Sequence, residues 1–129
     1  MEVNELNYKE RGLIEILRTF SFLHQENYTE KEVSLGGRDN PSVIYHNWIK
    51  DIVVKIIGDE SQSWTVVIQR KKLFVFGKDT VAFDISDYYE LLGSGMVQGR
   101  NYTLKSQADF IQTYLMPVIR GEKWIDEIV

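Results

Sequence analysis

With 129 residues the chain is long enough for one hydrophobic core of ordinary size, so a single domain spanning 1–129 is expected. A composition of 43% hydrophobic and 26% charged residues excludes a disordered chain, and the lack of cysteine excludes disulfides, thiolate zinc sites and cysteine nucleophiles. The net charge of −4 disfavours a general nucleic-acid binder and favours attraction of a basic partner, with residues 1–60 carrying the excess, seven basic against eleven acidic groups.

The spacing of Leu6, Leu13, Ile14, Ile16, Leu17, Phe20 and Leu23, with Glu10, Arg11, Glu15 and Arg18 between them, predicts an amphipathic helix from Leu6 to Leu23. Asn4 is its expected N-cap, and Gly12 is a mild local cost inside it. Residues 24–32 read as polar linker, a short strand is expected near Val33, and the turn formers from Gly36 to Pro41 predict a surface loop. The opening sequence has no basic, then apolar, leader pattern, and no stretch is long and apolar enough to span a bilayer, so a cytoplasmic protein is expected. Without an export signal the sequons at Asn27 and Asn101 carry no weight.

Val43, Ile44 and Tyr45 open the β region. Within Ile49–Ile57 the residues Ile52, Val54 and Ile56 share one face and Asp51, Val53, Lys55 and Ile57 the other, while Trp64, Val66 and Ile68 alternate with Thr65, Val67 and Gln69 in the next strand. Lys71-Lys72 reads either as a tight turn or as a bulge in a longer strand, Gly77-Lys78-Asp79 as a turn, and Thr80–Ile85 as a last strand. Ser86 to Leu92 is expected as a short helix capped by Ser86 and ended by Gly93. Ser106-Gln107-Ala108-Asp109 is a capping-box pattern before a carboxyl-terminal helix with Phe110, Ile111, Tyr114, Leu115, Val118 and Ile119 on one stripe, bent or ended at Pro117 and terminated by Gly121. The expected fold is therefore α+β: an antiparallel meander of four to six strands with an N-terminal and a C-terminal amphipathic helix packed on one face.

Catalytic patterns are missing, so no catalytic, cofactor or metal residues are assigned. His24 and His46 have no second histidine within a helical turn, which a zinc site would need. There is no G-x-S-x-G elbow; Gly93 and Gly95 approach a dinucleotide fingerprint, but Gln98 stands at the third glycine position. Arg70-Lys71-Lys72 reads as a solvated edge that discourages strand pairing. Two features favour a protein partner instead. Val53, Ile57 and Val67 make the second sheet face more apolar than a solvated face needs, to be covered by the Gly36 loop, the carboxyl tail, a partner or a second copy in a homodimer. Asp84, Asp87, Tyr88, Tyr89 and Glu90, with Tyr102 and Trp124 nearby, combine steering acids with aromatic contact area and form the expected partner-binding surface. The alternative from another class is a small-ligand or enzymatic pocket between sheet and helices, served by Trp48, Trp64, His46 or Arg100.

The segment Tyr114-Leu115-Met116-Pro117-Val118-Ile119-Arg120-Gly121-Glu122-Lys123-Trp124 resembles the ends of small bacterial immunity proteins encoded beside polymorphic toxins, which close with a helix, a proline, a glycine and a tryptophan. The resemblance covers about the last fifth of the chain. It implies a cytoplasmic, non-catalytic protein that occludes a cognate toxin, often a nuclease, and it transfers no binding residues because such proteins recognise their toxins through variable surfaces.

Overall fold

Five strands follow one another in space in the order of the chain, each antiparallel to the next: β1 Tyr28–Ser34, β2 Ser42–Asn47, β3 Ile52–Gly58, β4 Trp64–Phe74 and β5 Gly77–Asp84. The computed structural model describes residues 8–35, 41–58, 64–74, 77–92 and 103–129. Helix α1, Tyr8–Thr19, precedes the sheet through a 3-10 turn, Ser21–Glu26; a second 3-10 turn, Ile85–Tyr88, leads from it into α2, Tyr89–Leu92. The C-terminal helix runs as α3, Leu104–Phe110, a π turn, Ile111–Leu115, and α4, Met116–Ile119. The expected α+β meander with a helix at each end is the fold observed.

Side chains alternate across a strand, so helices on one side bury every second residue. Val43, Tyr45, Ile52, Val54, Ile56, Val66, Ile68 and Phe83 are buried on one face, joined into one core with Ile16, Phe20 and Leu23 from the N-terminal segment and Leu104, Phe110, Ile111, Leu115, Val118 and Ile119 from the C-terminal helix. Trp64 wedges between the two layers: a Cβ on Gly12 of α1 would lie 3.0 Å from its ring, and one on Gly58 only 2.8 Å. Gly12 is therefore the residue that lets α1 approach the sheet, which outweighs the helix propensity it forgoes.

Several local expectations are corrected. The presumed polar linker 24–32 is the end of a 3-10 turn and most of β1, whose polar sequence fits an edge strand buried only at Tyr28 and interrupted by a bulge between Glu30 and Glu32. Strand β4 runs unbroken through Lys71-Lys72, and Gly77, Lys78 and Asp79 pair with Phe74, Leu73 and Lys72, so they are strand and not turn. Asp84, not Ser86, caps the turn after β5, its carboxylate accepting from Ser86 N at 2.9 Å. Thr103, not Ser106, caps the C-terminal helix, its hydroxyl accepting from Ser106 N at 3.0 Å. Pro117 does not end that helix. It sits in the first turn of α4, directly after a π turn, a local widening that accommodates its missing N–H and ring, and Tyr114 within that turn is 38% exposed with its ring still against Phe110. Gly121, at φ 72°, terminates it as expected. The Asn4 cap, Gly93, Gly95, Gln98 and the Gly36–Asn40 stretch lie outside the described residues.

The two ends of the chain are tied across the sheet edge. The buried Tyr28 hydroxyl donates to the Ile119 carbonyl at 2.7 Å, and the Arg120 guanidinium donates to Glu26 at 3.0 Å; that hydrogen bond, more than the charge of Glu26, raises the guanidinium further above its usual range. Tyr45 is equally buried, but its hydroxyl finds no partner among the described residues.

Burial pushes both tyrosines well above their ordinary value of 10, with a smaller contribution from Glu26 at Tyr28 and from Glu30 at Tyr45. A raised acid is neutral in the folded state while its unfolded counterpart ionises near 10, so this stability is complete below about pH 10 and is lost as pH rises beyond it. Tyr28→Phe should cost about 1–3 kcal/mol by orphaning the Ile119 carbonyl, whereas Tyr45→Phe should be neutral or stabilising by up to about 1 kcal/mol and should soften the alkaline loss. Denaturant unfolding at neutral and alkaline pH reads both. Gly58→Ala should lower stability by about 1–3 kcal/mol through the Trp64 ring, measured in the same way.

Candidate functional site

At the tight connection between β2 and β3 the chain places two large apolar side chains in solvent side by side. Trp48 is 67% exposed and Ile49 76%. Single exposed apolar residues are ordinary, but an adjacent pair on a rigid turn is a different object. Asn47, itself buried, supplies the rigidity: its side-chain oxygen accepts from Ile49 N at 2.9 Å and Lys50 N at 3.0 Å, and its amide donates to the Glu26 carbonyl at 3.1 Å. One asparagine thus closes an Asx turn and pins it to the 3-10 turn beneath. The connection ends at Asp51, which holds a left-handed φ of 55°.

Behind the tip lies the sheet face opposite the core. His46 is only 4% exposed there because the Trp48 ring covers it, with centroids 3.9 Å apart in an edge arrangement. Its Nε2 hydrogen-bonds an Asp51 carboxylate oxygen at 3.0 Å, which fixes the ring and through it the indole. The Lys31 ammonium, from the bulged part of β1, stands 5.9 Å from the Trp48 ring centre. A histidine oriented by a carboxylate is half of a hydrolytic site, but His46 Nδ1 is buried and lacks a hydrogen-bond partner among the described residues, so a substrate has no path to it.

The register resolves this outer face into rows. Thr29, His46, Val53, Gln69 and Ala82 form one, Glu32, Ile44, Lys55, Val67 and Asp84 the next, and Ser34, Ser42, Ile57 and Thr65 a third. Ile44, Val53, Lys55 and Val67 are half-buried by their neighbours, and Ile57 is exposed. The carboxyl tail does not cover this face, contrary to one expectation: Trp124 packs edge-on against Phe83 of the core face at 5.2 Å, beneath the Arg70 guanidinium at 4.4 Å.

Of the residues expected to bind a partner, Asp84, Asp87, Tyr88 and Tyr89 follow one another at the end of β5, and Tyr88 and Trp124 both pack on the Phe83 ring. Asp84 accepts from both the amide and the hydroxyl of Ser86, and Asp87 is exposed. Tyr88 is half-buried against Phe83 at 5.4 Å. Tyr89, 2% exposed, packs on Phe110 at 4.8 Å, and Trp124 is 8% exposed, so these two rings serve the core instead of offering contact area. Glu90 lies in α2 with its side chain outside the description, and Tyr102 lies outside the described residues. The residues named for a pocket are separated: Trp64 is wedged on the core side, His46 and Trp48 lie on the opposite face, and Arg100 is outside the described residues. His24 hydrogen-bonds Glu30 at the exposed edge of the sheet.

Compared with known proteins, the chain matches no protein-family model, no curated protein and no solved structure. Among the described residues no cluster of three or more metal-ligating side chains occurs, and no helix is long and apolar enough to cross a membrane.

The tip was missed in the sequence because Ile49 fits the alternation of the following strand. The available signal was the pair of turn formers, Asn47 and Asp51, bracketing Trp48-Ile49-Lys50. Asn47→Ala should destabilise the protein by about 1–3 kcal/mol by leaving the Ile49 and Lys50 amides and the Glu26 carbonyl without their partner. Hydrogen exchange should then speed up at those two amides before it does in the sheet.

Proposed function

We propose that this protein is a non-catalytic protein-binding module, acting as an immunity-type inhibitor that neutralises a cognate toxin by occlusion. The observation that carries the binding reading is the pre-organised Trp48-Ile49 tip. Tryptophan is the residue type most enriched among the few that dominate binding energy, and a side chain already held in place loses little freedom when it docks. Asn47, Asp51 and His46 hold this one before any partner arrives. The inhibitor reading adds the resemblance of the carboxyl-terminal segment to immunity proteins, which implies occlusion as the mode of action. The net charge of −4 supports long-range attraction to a basic toxin.

The double variant Trp48→Ala, Ile49→Ala should keep the circular dichroism of the wild type and weaken partner affinity by about 2–4 kcal/mol, roughly 30- to 1000-fold. Affinity capture from the native lysate with mass spectrometry identifies the partner, and calorimetry with the purified pair measures the loss. If instead Asp87→Lys abolishes binding and the double variant does not, the contact lies at the acidic turn after β5 and the tip has no part in it.

A further inference from the structure

The outer face beside the tip sets a lysine at the centre of its apolar residues and its acids toward the rim. Its acids are largely engaged: Asp51 by His46, and Asp84 by the amide and hydroxyl of Ser86. Its lysines are not. Lys55 sits half-buried in the central strand, its cross-strand neighbours on this face being Ile44 and Val67, with Val53 and Ile57 two residues along its own strand. It makes no ion pair or hydrogen bond with any described residue, and the same holds for Lys71 on the neighbouring strand, while Lys31 makes only its contact with the Trp48 ring. Glu32, at the β1 edge, is the one acid of these rows without such a tie among the described residues. The face is therefore divided by position and not by net charge: Glu32 and Asp84 stand at the ends of its middle row, while Lys55 is the charge set among the aliphatic side chains at its centre.

We infer that this face docks an acidic, apolar protein segment, which sets aliphatic side chains on Ile44, Val53, Ile57 and Val67 and a carboxylate on Lys55. The inference rests on the reading of the Trp48 tip as a docking site and specifies the chemistry of what docks beside it. An occupant that is apolar throughout would strip water from the Lys55 ammonium without replacing its hydrogen bonds, a penalty that exceeds the gain from burying the ring of aliphatics around it. A second copy placed about a two-fold axis through the middle of the face would set Lys55 against its own counterpart. A single-stranded nucleic acid would bring the right charge, but such platforms stack successive bases on several exposed aromatics, and on this face the His46 ring is buried, leaving Trp48 as the exposed aromatic among the described residues, in a protein whose overall charge repels phosphate.

The probes are two short extended peptides with the same leucines and valines, alternating with glutamate in one and lysine in the other, and an oligothymidylate. Each is titrated into the isotope-labelled protein and followed by backbone amide shifts at low and high salt. The glutamate peptide should shift the amides of Ile44, Lys55 and Val67 and weaken with salt. Lys55→Glu should reduce its affinity at least about tenfold while making the lysine peptide bind better, an exchange that loss of folding cannot produce. Equal or tighter binding of the lysine peptide or of oligothymidylate by the wild type would overturn the inference, as would the absence of any shift from the glutamate peptide at millimolar concentration. Trp48→Ala separates the two readings. If the purified partner still binds that variant at full strength, the tip is not the docking site. If it loses the variant but binds Lys55→Glu unchanged, the tip stands and the acidic segment falls.

Discussion

A sheet buried on one side only is the constraint from which the rest of this protein follows. Five antiparallel strands in meander order alternate their side chains, and the helices at the two ends of the chain both settle on the face that carries Tyr45, Val54, Ile56, Val66 and Ile68. Trp64 joins the layers, and it fits because Gly12 and Gly58 have no Cβ to oppose it. Tyr28 and Arg120 then tie the start of the sheet to the end of the C-terminal helix, so segments far apart in sequence stabilise one sheet edge. None of the described helices packs on the opposite face, and apart from His46, buried beneath the Trp48 ring, its described residues are half-buried or exposed.

Rigidity at the tip comes from groups that are themselves buried. Asn47 belongs to the core face by its place in β2, yet its side chain serves the turn beyond the strand and the 3-10 turn below it. His46, one residue earlier, points to the other face and holds Trp48 from underneath. Two neighbouring residues of one strand thus fix the exposed turn from both sides of the sheet, and the conformational entropy of presenting a large aromatic ring is lost at folding and not at binding. Charge is divided with similar consequence. Intramolecular hydrogen bonds hold Asp51 and Asp84 in place toward the rim of the open face, while Lys55 stands at its centre without an ion pair among the described residues.

Legibility in the sequence tracked how strongly local chemistry agreed with burial. Strands β3 and β4 were readable because β-branched and aromatic residues recur at alternate positions, and α1 and the C-terminal helix because their apolar stripes have helical period. Strand β1 was not, since an edge strand buried only at Tyr28 and broken by a bulge shows no alternation. Caps were misplaced by two or three residues because Asp84 and Ser86, or Thr103 and Ser106, are equally good by residue type and only the backbone path selects between them. The partner surface expected at Asp84 to Glu90 read aromatics as available contact area, and the packing of Tyr89 and Trp124 inside shows that residue type alone does not reveal which side of the surface a ring occupies.

By itself the sequence determined the α+β class, the antiparallel meander and its two flanking helices, because hydrophobic periodicity is a local property that each segment carries with it. It also excluded cysteine chemistry outright. Tertiary structure decided which face of the sheet is covered, that Trp48 and Ile49 stand in solvent while Tyr89 and Trp124 do not, and which charges are left unpaired. Those outcomes depend on contacts between residues such as Glu26 and Asn47, or Tyr28 and Ile119, whose meeting no local pattern records.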